Sequence, residues 1–242
     1  MSNIFDGVGE IVKREMVLFF IVDQSGSMAG TKIGAVNTAI REAIPMLRDI
    51  GGSDAKIKIA SLLFSSGCRW MFAEPVAADD FQWTPVDTFG VTDFGAAFLE
   101  LSQKMSKTAF LSSPSASVAP AIFLMSDGQP TDEYENALKR LKDNRWFKHA
   151  IRVAVAIGED ADCKILAEFT GNMEAVVRTH TPEALRKLIR FVTITSSKIG
   201  SQSQRVTDDG SLPTKQDDMI QNIQGYLNDN PDIDQNAADE WD

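Results

Sequence analysis

The sequence predicts an α/β fold, a mostly parallel sheet with helices on both faces, and three observations point there. Short, continuously apolar runs, VLFFIV at Val17–Val22, APAIFLM at Ala119–Met125 and Ile151–Ile157, have the length and composition of strands buried on both sides. Amphipathic helical stripes separate them, and strand–helix alternation is the pattern of a parallel sheet. Two of the runs stop abruptly in oxygen-bearing residues, DQSGS after the first and SDG after the second. A strand covered on both faces has no use for such residues until it emerges at the edge of the sheet.

After the first strand, Thr31–Ile50 places Ile33, Val36, Ile40, Ile44 and Leu47 at three- and four-residue steps, with Pro45 a possible bend and Gly51-Gly52 a stop. Lys56–Phe64 alternates and then turns wholly apolar, as a strand entering a core does, with Arg69–Phe72 as a short partner. Asp79–Val91 reads as loop, and Phe94, Ala97, Phe98, Leu101 and Met105 restore a helical stripe. The serine-rich LSSPSASV from Leu111 is a connector. Beyond the second apolar strand come a helix over Glu133–Phe147, the strand Ile151–Ile157, a short helix over Asp162–Phe169 and a brief strand at Ala175–Val177. A helix from Thr181, with Pro182 in its first turn, closes a domain spanning 1–196.

From Ser197 the composition shifts to Ser, Gln, Gly and Asp, which predicts a largely flexible acidic tail over 197–242. Within it Met219, Ile220, Ile223, Tyr226 and Leu227 share one face of a short helix over 217–228, able to dock on the domain or on a partner. The tail holds three basic against ten acidic residues, so it carries −7 of the chain's formal net charge of −10.

That acidity argues against nucleic acid as a primary partner, which requires a basic face. No apolar run approaches the roughly 20 residues that cross a bilayer, and Lys13, Arg14 and Glu15 interrupt any signal-peptide core, so a cytoplasmic protein without membrane insertion is expected. Cys68 and Cys163 are too few for a disulfide scaffold or a thiolate zinc site.

Strand ends of a parallel sheet meet at one edge, where ligands bind. Asp23, Ser25, Ser27, Asp127 and, just before a helix, Thr92 then form an all-oxygen set of two carboxylates and three hydroxyls. Such donors suit Mg²⁺, with Mn²⁺ as an alternative, better than Zn²⁺. Asp132 reads as the cap of the helix from Glu133, the aromatics Trp70, Phe72, Phe81 and Trp83 as core or loop-pinning residues, and His149 and His180 as structural or surface residues.

Asp23-x-Ser25-x-Ser27, Thr92 within GVTDFGAAF and Asp127 within LMSDGQPTD resemble, in order and strand context, the five positions of the metal-ion-dependent adhesion site of von Willebrand factor A domains. Within that family the sequence is similar to the bacterial TerY-like group associated with tellurium resistance and stress operons. The resemblance covers roughly residues 15 to 196 and implies a doubly wound, Rossmann-like fold. It also implies a divalent ion held by Asp23, Ser25, Ser27, Thr92 and Asp127, directly or through water, whose last position takes a partner protein's Asp or Glu. Partners of the group would belong to a stress-response, tellurium-resistance or phage-defence system, a kinase or phosphatase among them. Val91 stands where many members have a second glycine, which removes no ligand.

The sequence offers little for catalysis. Ser25 and Ser27 lie in no G-x-S-x-G context, no P-loop occurs, and Ser25 occupies the place where an aspartyl phosphatase needs its second aspartate. A non-catalytic, metal-dependent interaction module is therefore the expected function. The alternative is a Mg²⁺-dependent phosphotransfer enzyme or phosphoacceptor using Asp23 or Asp127.

Overall fold

A computed structural model of the chain describes residues 14–50, 55–111, 119–179, 181–201, 214–231 and 233. Among the described residues seven strands form one sheet: β1 (Arg14–Asp23), β2 (Ala55–Ser65), β3 (Gly67–Trp70), β4 (Val76–Ala77), β5 (Ala121–Ser126), β6 (Ile151–Ile157) and β7 (Val176–Thr179). Their order is β3-β2-β1-β5-β6-β7, with β4 paired to β2. The pairs β1–β2, β1–β5, β5–β6 and β6–β7 are parallel, whereas β3 and β4 run antiparallel to β2. This is the doubly wound architecture expected.

The two-residue period of β1 sorts its side chains cleanly between the faces. Met16, Leu18, Phe20 and Val22 join one core with helices α1 (Thr31–Ile50) and α6 (Pro182–Ser201). Val17, Phe19 and Ile21 join the other, beneath α2 (Phe94–Lys104), α3 (Glu135–Asp143), α4 (Arg145–His149) and α5 (Cys163–Thr170). A strand whose every apolar residue is buried on one face or the other reads as a continuous hydrophobic run, and VLFFIV is such a run.

Several elements differ from their sequence reading for identifiable reasons. The partner of β2 starts two residues early, because Gly67, at φ 82°, makes a tight turn that pairs Ser65 with Gly67. Phe72 is thereby left outside the strand, stacked edge-on against buried Phe81. The helix expected over Glu133–Phe147 is two, since Asn144 is extended at φ −64°, ψ 126°. Its side chain accepts from the backbone N–H of Trp146 and Phe147 and donates to the carbonyls of Ser102 and Met105, so it caps α4 and ties it to the end of α2. Asp132 caps neither. Its carboxylate accepts from the backbone N–H of Phe94 and Gly95, so it serves the N-terminus of α2, where Asp93 accepts from Ala96 N–H.

The C-terminal residues also depart from the expected division. Helix α6 continues to Ser201, past the expected boundary at 196, and Ser196 is fully buried. The tail helix forms as α7 (Lys215–Asp229), started by a capping box between Thr214 and Asp217. It packs on the domain: Met219 and Ile223 are fully buried in the core shared with α1 and α6, and the Tyr226 ring stacks on Phe191 at 4.0 Å. Gln216 completes the docking by accepting from Arg152 N–H (2.8 Å) and donating to Arg152 C=O (2.9 Å), so its amide pairs with β6 backbone as a neighbouring strand would. The remaining acidic residues at 202–213 and 234–242 lie outside the described residues, as does His180.

Candidate metal centre

Strand β1 leads to β2 on one side and has β5 on the other, so the crevice between β1 and β5 is a topological switch point. Asp23 ends β1, and Ser126-Asp127 ends and follows β5. The residues after Asp23 form a single 3₁₀ turn, Gly26–Met28, before α1 begins. The Thr92 loop is laced onto this edge by backbone bonds: Phe89 N–H to Gln24 C=O, Gly26 N–H to Gly90 C=O, and Asp93 N–H to Ser65 C=O. Thr92 is tied across the crevice as well, its N–H donating to Thr131 Oγ1 (2.9 Å) and its C=O accepting from Thr131 N–H (3.1 Å). The structure thus brings the loops of all five expected residues to one edge.

Two glycines make the close approach possible. At Gly128, φ is 70° and a Cβ would sit 1.9 Å from the Asp162 carbonyl oxygen, so no side chain fits beside the Asp127–Asp162 backbone bond. At Gly90, also at φ 70°, a Cβ would meet the Ser66 hydroxyl at 2.4 Å.

The side chains are unequally satisfied. Asp23 is fully buried, and both its oxygens have donors: Ser25 N–H at 2.8 Å and the Ser126 hydroxyl at 2.6 Å. Burial nonetheless pushes its carboxyl up to about 6, against the lowering effect of those bonds. Asp127 is also fully buried; its Oδ2 accepts from the Lys32 ammonium at 3.1 Å, but its Oδ1 has no partner. Ser25 Oγ and Ser27 Oγ are 3.0 Å apart, with Ser25 buried and Ser27 exposed. Adjacent oxygens around an octahedral ion with ligands at 2.0–2.1 Å are about 3 Å apart.

This donor set fits a small hard cation. A buried carboxylate oxygen without a donor is costly unless a positive charge meets it. Every candidate atom is oxygen, and among the described residues no group of three or more His, Cys, Asp and Glu could make a softer site.

Three contributors escaped the sequence reading. Ser126 holds Asp23 in place and accepts from Gly128 N–H at 2.9 Å. Lys32 bridges Asp127 and Asp160 (2.7 Å), which lowers the Asp160 carboxyl. Arg178 in turn fixes the loop carrying Asp160, donating to the carbonyls of Gly158, Glu159 and Ala161. One signal for Lys32 was present: a lysine in the first turn of a helix opposes the helix dipole, so an anion nearby is needed to hold it.

A family model described as the von Willebrand factor type A domain matches residues 18–191. The chain belongs to this family. Solved structures of the fold agree with the assignment. A von Willebrand factor type A protein from Catenulispora acidiphila is 20% identical, with a TM-score of 0.57 over 76% of this chain and 43% of its own. Proximal thread matrix protein 1 from the mussel byssus, described with a zinc-occupied MIDAS motif, is 15% identical, with a TM-score of 0.55 over 76% and 48%. The hypothetical protein BatB from Bacteroides thetaiotaomicron is 13% identical, with a TM-score of 0.53 over 76% and 98%. The chain therefore spans less than half the length of the first two. No curated protein matches the sequence. Among the described residues, no helix is long and apolar enough to cross a membrane.

Proposed function

We propose that this domain is a metal-dependent protein-interaction module, with Mg²⁺ or Mn²⁺ held by Asp23, Ser25, Ser27, Thr92 and Asp127. The observation that supports it most directly is the buried Oδ1 of Asp127, which has no hydrogen-bond partner. The mussel relative with zinc in its MIDAS adds that this fold can hold a divalent ion at such a motif. A bound ion would supply a positive centre with an open position for a carboxylate. The chain's own part is to hold the oxygens: Ser126 orients Asp23, the Gly128 turn fixes Asp127, and Thr131 anchors Thr92.

The partner in this reading is a protein presenting Asp or Glu, encoded with this chain in a bacterial stress-response, tellurium-resistance or phage-defence system of the TerY-like kind, and met in the cytoplasm. A kinase, a phosphatase or another protein of the same operon would fit this reading. The domain itself does no chemistry. The test is capture of partners from the native host by the full chain with Mg²⁺, with chelator, and with Asp127→Ala. Recovery only by the intact protein with metal is expected, and equal recovery in all three arms would sink the metal bridge.

One observation favours the phosphoacceptor alternative: the Lys32 ammonium stands beside Asp127, where it could balance an added phosphoryl group. Incubation with acetyl phosphate and Mg²⁺ separates the two, since an aspartyl adduct on the intact protein would replace the binding-module reading.

A further inference from the structure

The edge of the sheet opposite the metal centre holds a cavity of about 690 Å³. Its walls come from Lys107 after α2, Ala119 before β5, the α4 helix and Ala150, and the residues that open α7. Strand β5 starts just beyond Ala119-Pro120 and ends at Ser126, so the two sites lie at opposite ends of the same strand, about 20 Å apart at 3.3 Å per residue.

The lining is unlike the rest of this chain. The sequence has 24 Lys and Arg against 34 Asp and Glu, yet Lys107, Arg145, Lys148, His149 and Lys215 all line the cavity, and no carboxylate does among the described residues. Among the described residues, Lys148 makes a 4.0 Å contact with exposed Asp143. Lys107, Arg145 and Lys148 around one concavity make a local positive potential, on a protein with a net charge of −10, to which an anion is attracted. The guanidinium of Arg145 offers paired donors in a plane, the geometry that matches phosphate oxygens, and the lysines add point charges. Trp146, half-buried between Arg145 and Phe147, contributes an aromatic wall. The volume falls in the range of sites that enclose a small organic ligand.

We propose that this basic cavity binds a nucleotide, its phosphates held by Arg145, Lys148 and Lys107 and its base set against Trp146. The site is independent of the metal centre, because it uses the amino-terminal edge of the strands and none of the five oxygen ligands. Its floor is tied to the tail: Gln216 lines the cavity and bonds the β6 backbone at Arg152. A ligand there consequently braces the docking of α7.

Calorimetric titration of ADP, pyrophosphate and adenosine into the full chain tests this, with chelator present so that no ion at Asp127 can recruit phosphate. ADP is expected to bind tightest, to weaken as salt is raised, and to lose about tenfold or more in affinity in the Arg145→Glu, Lys148→Glu double variant. Both substituted residues are exposed, so folding should be unaffected and is checked by thermal melting. Quenching of tryptophan emission by ADP should be diminished in Trp146→Phe. The proposal is overturned if ADP does not bind at millimolar concentration, if it binds no tighter than pyrophosphate, or if the charge-reversed variant binds it equally well. Asp127→Ala should bind ADP as the intact protein does, so failure here leaves the metal reading untouched.

Discussion

Asp23 ends one strand and Asp127 follows the neighbouring one, and both are fully buried, yet they are held in opposite ways. Asp23 has a neutral donor for each oxygen and no cation, and burial raises its carboxyl to about 6. Asp127 has a cation on one oxygen and nothing on the other. Hydrogen bonds from neutral groups position Asp23 but do not offset the loss of water around a full charge. At Asp127 a cation meets one oxygen and the other is left without a donor. If the proposed metal site holds, the difference implies a division of labour: Asp127 would make the stronger demand for the ion, and Asp23 would orient the serine turn that shares it.

The largest test of that division is a pair of isosteric substitutions. Titration of Mn²⁺ into Asp127→Asn should show affinity reduced by about a hundredfold, near 3 kcal/mol, against about tenfold for Asp23→Asn. The reasoning is that the Asp127 oxygen is unpartnered before metal arrives, whereas those of Asp23 are already engaged. A larger loss in Asp23→Asn would reverse the division and show that Asp23 exchanges its hydrogen bonds for the ion.

The second effect concerns the metal-free protein. A carboxyl raised in the folded state from 3.8 to about 6 binds its proton more tightly folded than unfolded. Its contribution to stability is therefore greatest below pH 4, falls as pH rises from 4 through 6, and is level above that. The size is about 2 to 3 kcal/mol, from roughly 1.4 kcal/mol for each pH unit between the two values. In chelator, urea unfolding of the intact protein should show this loss, and Asp23→Asn should lack it and be the more stable of the two at pH 8. If the two pH profiles run parallel, Asp23 is already charged at no cost and its burial is compensated by something other than a proton.

The contrast between these aspartates was only half legible in the sequence. VLFFIV followed by DQSGS, and AIFLM followed by SDG, place both carboxylates at one sheet edge by strand periodicity alone, and the helix after Val91 brings Thr92 to the same place. What distinguishes the two sites comes from residues with no motif of their own. Ser126 reaches Asp23 across 103 positions, and Lys32 reaches Asp127 across 95. Such pairings depend on sheet order, which periodicity does not supply. The same limit hid the double capping of α2, since Asp132 is nearer in sequence to α3 and only the β5–α3 loop carries it to Phe94 and Gly95. Composition also misleads where a short apolar stripe is embedded in polar sequence: Met219 and Ile223 are core residues within an acidic tail.

The smallest effect tests Lys32, the residue that makes the two aspartates different. Its ammonium shares Asp127 and Asp160, so in the metal-free protein it supplies part of the positive charge that an ion would otherwise bring. An arriving divalent ion must compete with it or sit beside it, and either costs binding energy. Lys32→Met removes the competitor and also takes the cation from Asp127 Oδ2, so that neither Asp127 oxygen has a partner. Metal-free stability should drop by about 1 kcal/mol. Mn²⁺ affinity should rise by about threefold to tenfold, because the cost falls on the free protein and is relieved when the ion binds. Melting curves in chelator and calorimetric titration read the two changes separately. Opposite signs in stability and affinity establish Lys32 as a tethered counter-charge; a fall in both would instead make it the group that holds Asp127 in position for the metal.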